Sequence, residues 1–225
     1  MQLAKPCLDV GLYTTRKTEM LDFYRDVVGL PYEEMLPVGG GVQQHRHGLN
    51  GSVLKINAAR DALDALPPSG YQRVWIARPD RAQVLDIDDP DGNHLRLVPT
   101  GHDGITGIQI DVEVADLAAH RRFWEAGMQA QALADGRLQL GTTLIALHPG
   151  AAPRADLGMR GTGLRYLTVQ VFDVAAEHAR VIASGGLEGR APMTLGDVAK
   201  ISFVRDPDGN WIEISQRRSL TGSLA

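Results

Sequence analysis

Three stretches of this chain place chemistry-bearing side chains at every second position. Residues 211–215 read WIEIS, so Trp211, Glu213 and Ser215 share one face of a strand while Ile212 and Ile214 share the other. A carboxylate set between an indole and a hydroxyl can serve as a general base. Residues 108–114, IQIDVEV, alternate Gln109, Asp111 and Glu113 against four aliphatic residues, and the two carboxylates could add ligands for a metal. The third stretch, His45-Arg46-His47, puts two imidazoles on one face, a candidate metal or substrate site. Its register depends on the turn at Asn50-Gly51, a strong two-residue hairpin signal. A tight turn sets Arg46 opposite Lys55 and sends both histidines the other way, with Leu54 and Ile56. A one-residue bulge reverses this. His148 closes another strand, two residues beyond Ala146, and either joins the Glu213 group or is solvated. His102, His120 and His178 have no supporting constellation and read as surface residues. No Gly-x-Ser-x-Gly elbow, phosphate-binding glycine loop or zinc-protease motif is present. Gly39-Gly40-Gly41 lies between strand signals and reads as a flexible or bulged connection.

The elements that must position these residues come in repeats. DDPDGNHLRLV at 88–98 and RDPDGNWIEIS at 205–215 each join a turn to an alternating strand. Upstream, an alternating strand around Val10, Leu12 and Thr14 is followed by a helix over residues 19–28, stopped by Gly29. The same scheme returns as a strand over 108–114 and a helix over 117–126, stopped by Gly127. Phe23-Tyr24 and Phe123-Trp124 fall at equivalent helix positions and read as core anchors. A further strand at 167–171 precedes a helix over 174–183. Before the first hairpin, a strand over 73–77 leads into another at 83–87 with no room for a helix. The count is four modules, 5–58, 70–99, 105–148 and 163–216, with the second lacking its helix. Connections near Pro67-Pro68 and over 150–163 separate modules. The best boundary is 99–104, giving an N-terminal module pair at 1–100 and a C-terminal pair at 101–225.

Composition narrows the partners. With 225 residues, a formal net charge of −4 and scattered Lys and Arg, nothing points to nucleic acid. Cys7 is the sole cysteine, so no intrachain disulfide and no Cys-rich zinc module can form. The first ten residues are interrupted by Lys5, Pro6 and Asp9, unlike a signal peptide, and no apolar run could span a bilayer. The expectation is a cytoplasmic globular protein.

The segments LDFYRDVVGL and HRRFWEAG, with the hairpins DPDGNHLRLV and DPDGNWIEI, resemble the vicinal-oxygen-chelate superfamily. That group includes glyoxalase I, bleomycin-binding proteins and extradiol dioxygenases. The resemblance covers nearly the whole chain. It implies an α+β fold of repeated βαβββ modules, forming two half-open mixed β-barrels with helices outside. Metal ligands in that family come from first and last strands of modules, and Glu213 falls where the family carries its metal-binding glutamate. Gln109 and Tyr166 stand where a dioxygenase would carry histidines, so the facial triad of two imidazoles and a carboxylate is not reproduced. In the N-terminal pair the matching positions are Asp9, Lys55, Arg73 and Arg96. Three cations there could bind an anionic ligand, joined by Arg46, or close an internal ion-pair network.

Together these readings imply an enzyme acting on a small oxygenated, anionic or vicinally oxygenated molecule, glyoxalase- or dioxygenase-like with a non-standard metal site. A divalent ion (Fe, Mn, Ni or Zn) would sit on Glu213, Gln109 and His148, Tyr166 would donate a proton, and Trp211 would contact the substrate. The alternative is a metal-free sequestering protein, or a metal-free lyase or isomerase with Glu213 as base and Tyr166 as acid. The superfamily also allows modules to pair across a homodimer.

Overall fold

A computed structural model describes residues 1–150 and 158–224; residues 151–157, inside the predicted connection at 150–163, lie outside the described residues. The chain is α+β, with two mixed sheets and short helices. Its described residues divide into two compact units: 9–112 with 158–165, and 1–8 with 113–150 and 166–224.

The first unit opens with β1 (Asp9–Thr14), α1 (Lys17–Asp22), β2 (Tyr32–Gly39), β3 (Val42–Leu49) and β4 (Ser52–Ala59). β1 runs parallel to β4, and β4, β3 and β2 follow as an antiparallel meander. Asn50 (φ 51°) and Gly51 (φ 84°) both take the left-handed conformation, so the turn is the tight one. The register therefore pairs Arg46 with Lys55, His45 with Ile56 and His47 with Leu54. Gly39, Gly40 and Gly41 all have positive φ, and the β2–β3 register shifts between Pro37 and Gly39, a bulged connection as expected. The second half of this unit holds β5 (Tyr71–Arg78), β6 (Leu85–Asp88), β7 (His94–Pro99) and β8 (Ile108–Val114). β5 lies between β7, which is parallel to it, and β8, which is antiparallel. No helix interrupts β5 and β6, in line with the truncated module.

In the second unit, β9 (Gln131–Ala132), β10 (Leu138–Leu140) and β11 (Thr143–Pro149) form an antiparallel meander after α2 (Leu117–Arg122). β12 (Gly163–Gln170), α3 (Val174–Ala183), β13 (Leu187–Leu195), β14 (Ala199–Arg205) and β15 (Trp211–Arg217) repeat the module. From Tyr166 onward β12 runs parallel to β15, which is antiparallel to β14. α3 occupies the predicted residues. Asp173 caps it by accepting from the Ala176 N–H, as Asp116 caps α2 through the Ala118 and Ala119 N–H groups.

Both α1 and α2 continue into a wider turn that the sequence pattern does not announce. Val28 N–H donates to Phe23 C=O and Met128 N–H to Phe123 C=O, each five residues back, which is π-type bonding. The extra residue swings the helix end so that Tyr24, Phe123 and Trp124 are fully buried, the anchors expected, while Phe23 is half-buried. Gly29 (φ 76°) ends the first copy as expected. In the second copy Gly127 lies inside the π turn, and Gln129 (φ 55°) takes the left-handed position instead. Gly127 has a different duty: a Cβ there would stand 3.3 Å from Ser184 Cβ and 3.7 Å from Val181 Cα, so it lets α3 approach.

Candidate functional site

Strand alternation builds three polar faces. On the first, β1, β3 and β4 of the first unit present Asp9, Gln44, Arg46, Lys55 and Asn57, all buried. Burying charges unpaired is costly, and these are paired. Lys55 Nζ stands 3.9 Å from Asp9 Oδ2, and Asp9 Oδ1 accepts from the Val53 N–H at 3.0 Å. Arg46 ion-pairs with Glu34 at 3.2 Å and donates to Gln44 Oε1 at 3.3 Å. Gln44 in turn donates to Asn57 Oδ1 at 3.0 Å, and Asn57 Nδ2 to the Leu12 carbonyl at 2.9 Å.

The second face, on β5–β8, is a ladder with one residue from each strand. Register aligns Asp86, Arg96, Trp75 and Gln109, and on the next rung Asp88, His94, Arg73 and Asp111. Arg96 grips Asp86 with two bonds of 2.6 and 2.7 Å and lies over the Trp75 ring, 4.5 Å from its centroid. Trp75 Nε1 donates to Asp111 Oδ2 at 2.8 Å, and Gln109 Nε2 to Asp111 Oδ1 at 2.9 Å. The Arg96 guanidinium holds the Asp86 carboxyl below the usual carboxylate range. Of the cations expected on the ligand side, Lys55, Arg46 and Arg96 thus have internal carboxylate partners. Arg73, half-buried, makes no hydrogen bond or ion pair with the described residues.

The third face belongs to the second unit. Parallel register sets Tyr166 beside Trp211 and Thr168 beside Glu213, with Phe203 on the far side of Glu213. Thr168 Oγ1 donates to Glu213 Oε2 at 2.8 Å. Glu213 is half-buried, and Tyr166 and Thr168 are buried. The Trp211 ring meets Phe203 edge-on at 6.0 Å, carries the Arg205 guanidinium 5.4 Å above its centroid, and lies so near Gly189 that a Cβ there would come within 2.5 Å of it. Gly189 therefore makes room for the indole wall. Thr168 is the residue of this group that sequence reading missed. Only the β12–β15 register sets it against Glu213.

The metal ligands expected were Gln109, Glu213 and His148. Gln109 donates to Asp111 through Nε2, Glu213 accepts from Thr168, and His148 is exposed at the end of β11. Among the described residues no three His, Cys, Asp or Glu side chains gather as a metal-ligating group. A neutral amide, one carboxylate and one exposed imidazole are a poor chemical match to the two imidazoles and a carboxylate of a facial triad, and no step below is routed through a metal. A cleft of about 620 Å3 opens in the first unit beside the β2–β3 turn, where Lys17, Gln43, Ala59 and Arg60 line it with none of the expected site residues.

Two histidines read as surface residues are not. His120 is fully buried, its Nε2 3.1 Å from Asp208 Oδ2 and its Nδ1 3.7 Å from Asp206 Oδ2. His178 is buried too, 3.4 Å from Glu188. A lone histidine on a helix shows neither the acids that the second DPDGN turn brings to His120 nor the Glu188 that the next strand brings to His178.

Repeated strand–helix–strand modules, DPDGN hairpins and polar strand faces define a module-duplicated α+β class. Residues 108–214 match the family model of the Glyoxalase/Bleomycin resistance protein/Dioxygenase superfamily. No curated protein matches the chain by sequence. Among solved structures it is similar to glyoxalase I from Zea mays, with a TM-score of 0.75 and 16% identity over 99% of this chain and 96% of that one. It is also similar to a putative dioxygenase from Bacillus subtilis subsp. subtilis str. 168 (TM-score 0.67, 15% identity, 96% and 85% covered). A third is the cppA protein from Streptococcus pneumoniae TIGR4 (0.57, 9% identity, 96% and 98% covered). At such identities the likeness is one of fold. No helix among the described residues is long and apolar enough to cross a membrane.

Proposed function

We propose that the chain is an enzyme that moves a proton on a small oxygenated organic substrate, with Glu213 as the base. The observation that carries this reading is the Thr168–Glu213 hydrogen bond of 2.8 Å, which fixes a half-buried carboxylate on the strand face that also bears Tyr166 and Trp211. A base must be held in one orientation to meet its proton, and the hydroxyl does that without neutralising the charge. Glu213 takes a proton from carbon next to a carbonyl, and the electron pair moves onto the carbonyl oxygen. The Tyr166 phenol donates a hydrogen bond to that developing enolate. Return of the proton to the neighbouring carbon gives an isomer, while loss of a β-substituent gives an elimination product. Trp211 supplies a flat apolar wall for the carbon frame.

The test is proton exchange in D2O, followed by NMR with a panel of 2-oxo and α-hydroxy carbonyl compounds. The wild type exchanges the proton next to the carbonyl. Glu213→Gln slows exchange on the order of a hundredfold or more, and Tyr166→Phe slows it less. Equal rates in wild type and Glu213→Gln would remove Glu213 from the chemistry. Saturable binding without any exchange would make this a sequestering site.

A further inference from the structure

The histidines of the HRH stretch face away from the polar network, beside Leu54 and Ile56. His45 and His47 are 8% and 0% exposed. Each is anchored through Nδ1: His47 donates to the Leu30 carbonyl at 3.2 Å, and His45 pairs with the Tyr32 hydroxyl at 3.1 Å. The Leu30 carbonyl only accepts, so neutral His47 donates from Nδ1 and its Nε2 is a bare lone pair; His45 takes the same form when it donates to the Tyr32 hydroxyl. Both Nε2 atoms are buried and neither has a hydrogen-bond partner. A buried polar atom left so is costly, and two on one strand face, two residues apart, need a cause.

The surroundings disfavour the charged rings. Burial first, with the Lys17 charge near His45 and Arg25 near His47, pushes both imidazoles below their ordinary value; Glu33 and the Leu30 carbonyl pull His47 the other way. A neutral imidazole with Nδ1–H tied to a carbonyl is the form in which histidine ligates through Nε2. The antiparallel register places Met35 opposite His45, on the same face. Tyr32, 46% exposed, covers the pair, its ring centroid 6.0 Å from that of His45 and 5.3 Å from that of His47. Rotation of this exposed ring would open the way in. No acid side chain adjoins the two Nε2 atoms in the hydrogen-bond and ion-pair geometry of the described residues, so the donors are imidazole nitrogen and thioether sulfur.

We propose that His45 and His47, with Met35, bind a monovalent copper ion in the first unit. Soft thioether and neutral imidazole favour Cu(I) over hard cations, and a site without carboxylates suits a single positive charge. This site is independent of the proton-transfer site at Glu213.

The probe is Cu(I) itself, under anaerobic conditions, in competition with the chromophoric chelator bicinchoninate. The wild type withdraws one equivalent. His45→Gln weakens uptake at least tenfold, Met35→Leu weakens uptake of Cu(I) more than of Zn(II), and Glu213→Gln leaves both unchanged. Circular dichroism and the melting temperature establish that each variant is folded. Met35 is exposed, so its variant keeps the test valid even if the buried histidine variant unfolds. No withdrawal by wild type would overturn the proposal. So would uptake that survives in folded Met35→Leu and His45→Gln, or uptake lost instead in Cys7→Ser, the one thiol in the chain.

Discussion

The two DPDGN hairpins share a backbone and differ in what the preceding helix offers them. In each, the first aspartate closes the turn on itself: Asp89 Oδ1 accepts from the Asp91 and Asn93 N–H groups, and Asp206 Oδ1 from those of Asp208 and Asn210. The asparagine amide donates to the second oxygen at 2.7 and 2.8 Å, and the glycine has φ of 84° and 90°. The motif is a self-contained turn. The N-terminal helix then adds one neutral donor, the Tyr24 hydroxyl, 2.8 Å from Asp89 Oδ2. The C-terminal helix adds His120, held between Asp206 and Asp208, both buried. Burial pushes the Asp89 and Asp206 carboxyls above the usual carboxylate range. At Asp206 the His120 charge is the largest opposing influence, and at Asp89 the Asn93 amide is. One hinge between helix and turn is a hydrogen bond, and the other is a buried imidazole between two buried carboxyls.

That contrast sets the largest expected effect. Asp206→Ala deletes three acceptor bonds and strands His120 among buried groups, for a loss of about 3–5 kcal/mol. Asp89→Ala deletes the matching turn bonds but leaves only a phenol, for a loss of about 2–4 kcal/mol. Tyr24→Phe tests the hydroxyl alone and should lose about 1–2 kcal/mol. Urea unfolding midpoints of the three variants decide the order. A smaller loss at Asp206 than at Asp89 would show that the imidazole is not held by charge.

Buried imidazoles offer the same contrast again. His120 has two carboxyls within 4 Å, whereas His45 and His47 have none in an ion pair and both are lowered from 6.5, mainly by burial. A group whose folded value is lowered binds protons more readily in the unfolded chain, so stability rises with pH. The contribution is whole above pH 6.5 and is lost as pH falls through that value toward the lowered ones. The measurement is the urea midpoint at pH 5.5 minus that at pH 7.5. Wild type should fall more steeply on acidification than a His45→Gln, His47→Gln double variant. Parallel curves would mean the two rings ionise in the native state as easily as in the unfolded one.

Much of this architecture was legible in residues 88–98 and 205–215, because a turn that bonds to itself needs no tertiary context. The same holds for α3, whose N-cap, apolar spacing and following Gly185 all lie within a dozen residues. The tight Asn50-Gly51 turn fixed the Arg46–Lys55 register from local chemistry. Partnerships that depend on strand order were not legible. Nothing in WIEIS says that Thr168 stands beside Glu213, nor in DIDD that Asp86 takes Arg96 out of reach of a ligand. The π turns escaped for another reason: one inserted residue shifts bonding from four to five residues without altering the apolar spacing enough to notice. His120 was hidden because its acids arrive from some 86 residues later.

The smallest effects separate two glycines that look equivalent in sequence. Gly29 and Gly127 each follow the aromatic pair of a helix, yet only Gly29 needs positive φ. Gly29→Ala forces a Cβ into the left-handed region and within 2.7 Å of Arg78 Nη2, the end of a side chain that also donates to the Gly29 carbonyl through Nη1. The expected loss is about 1–2 kcal/mol. Gly127→Ala sits in helical backbone, where alanine is favoured by up to about 1 kcal/mol. Its methyl meets Ser184 Cβ at 3.3 Å, which a small shift relieves. The two terms nearly cancel, so the melting temperature should move little in either direction. A loss at Gly127 as large as at Gly29 would mean α3 cannot yield, and that the close approach of α3 to the π turn is as rigid as the backbone conformation itself.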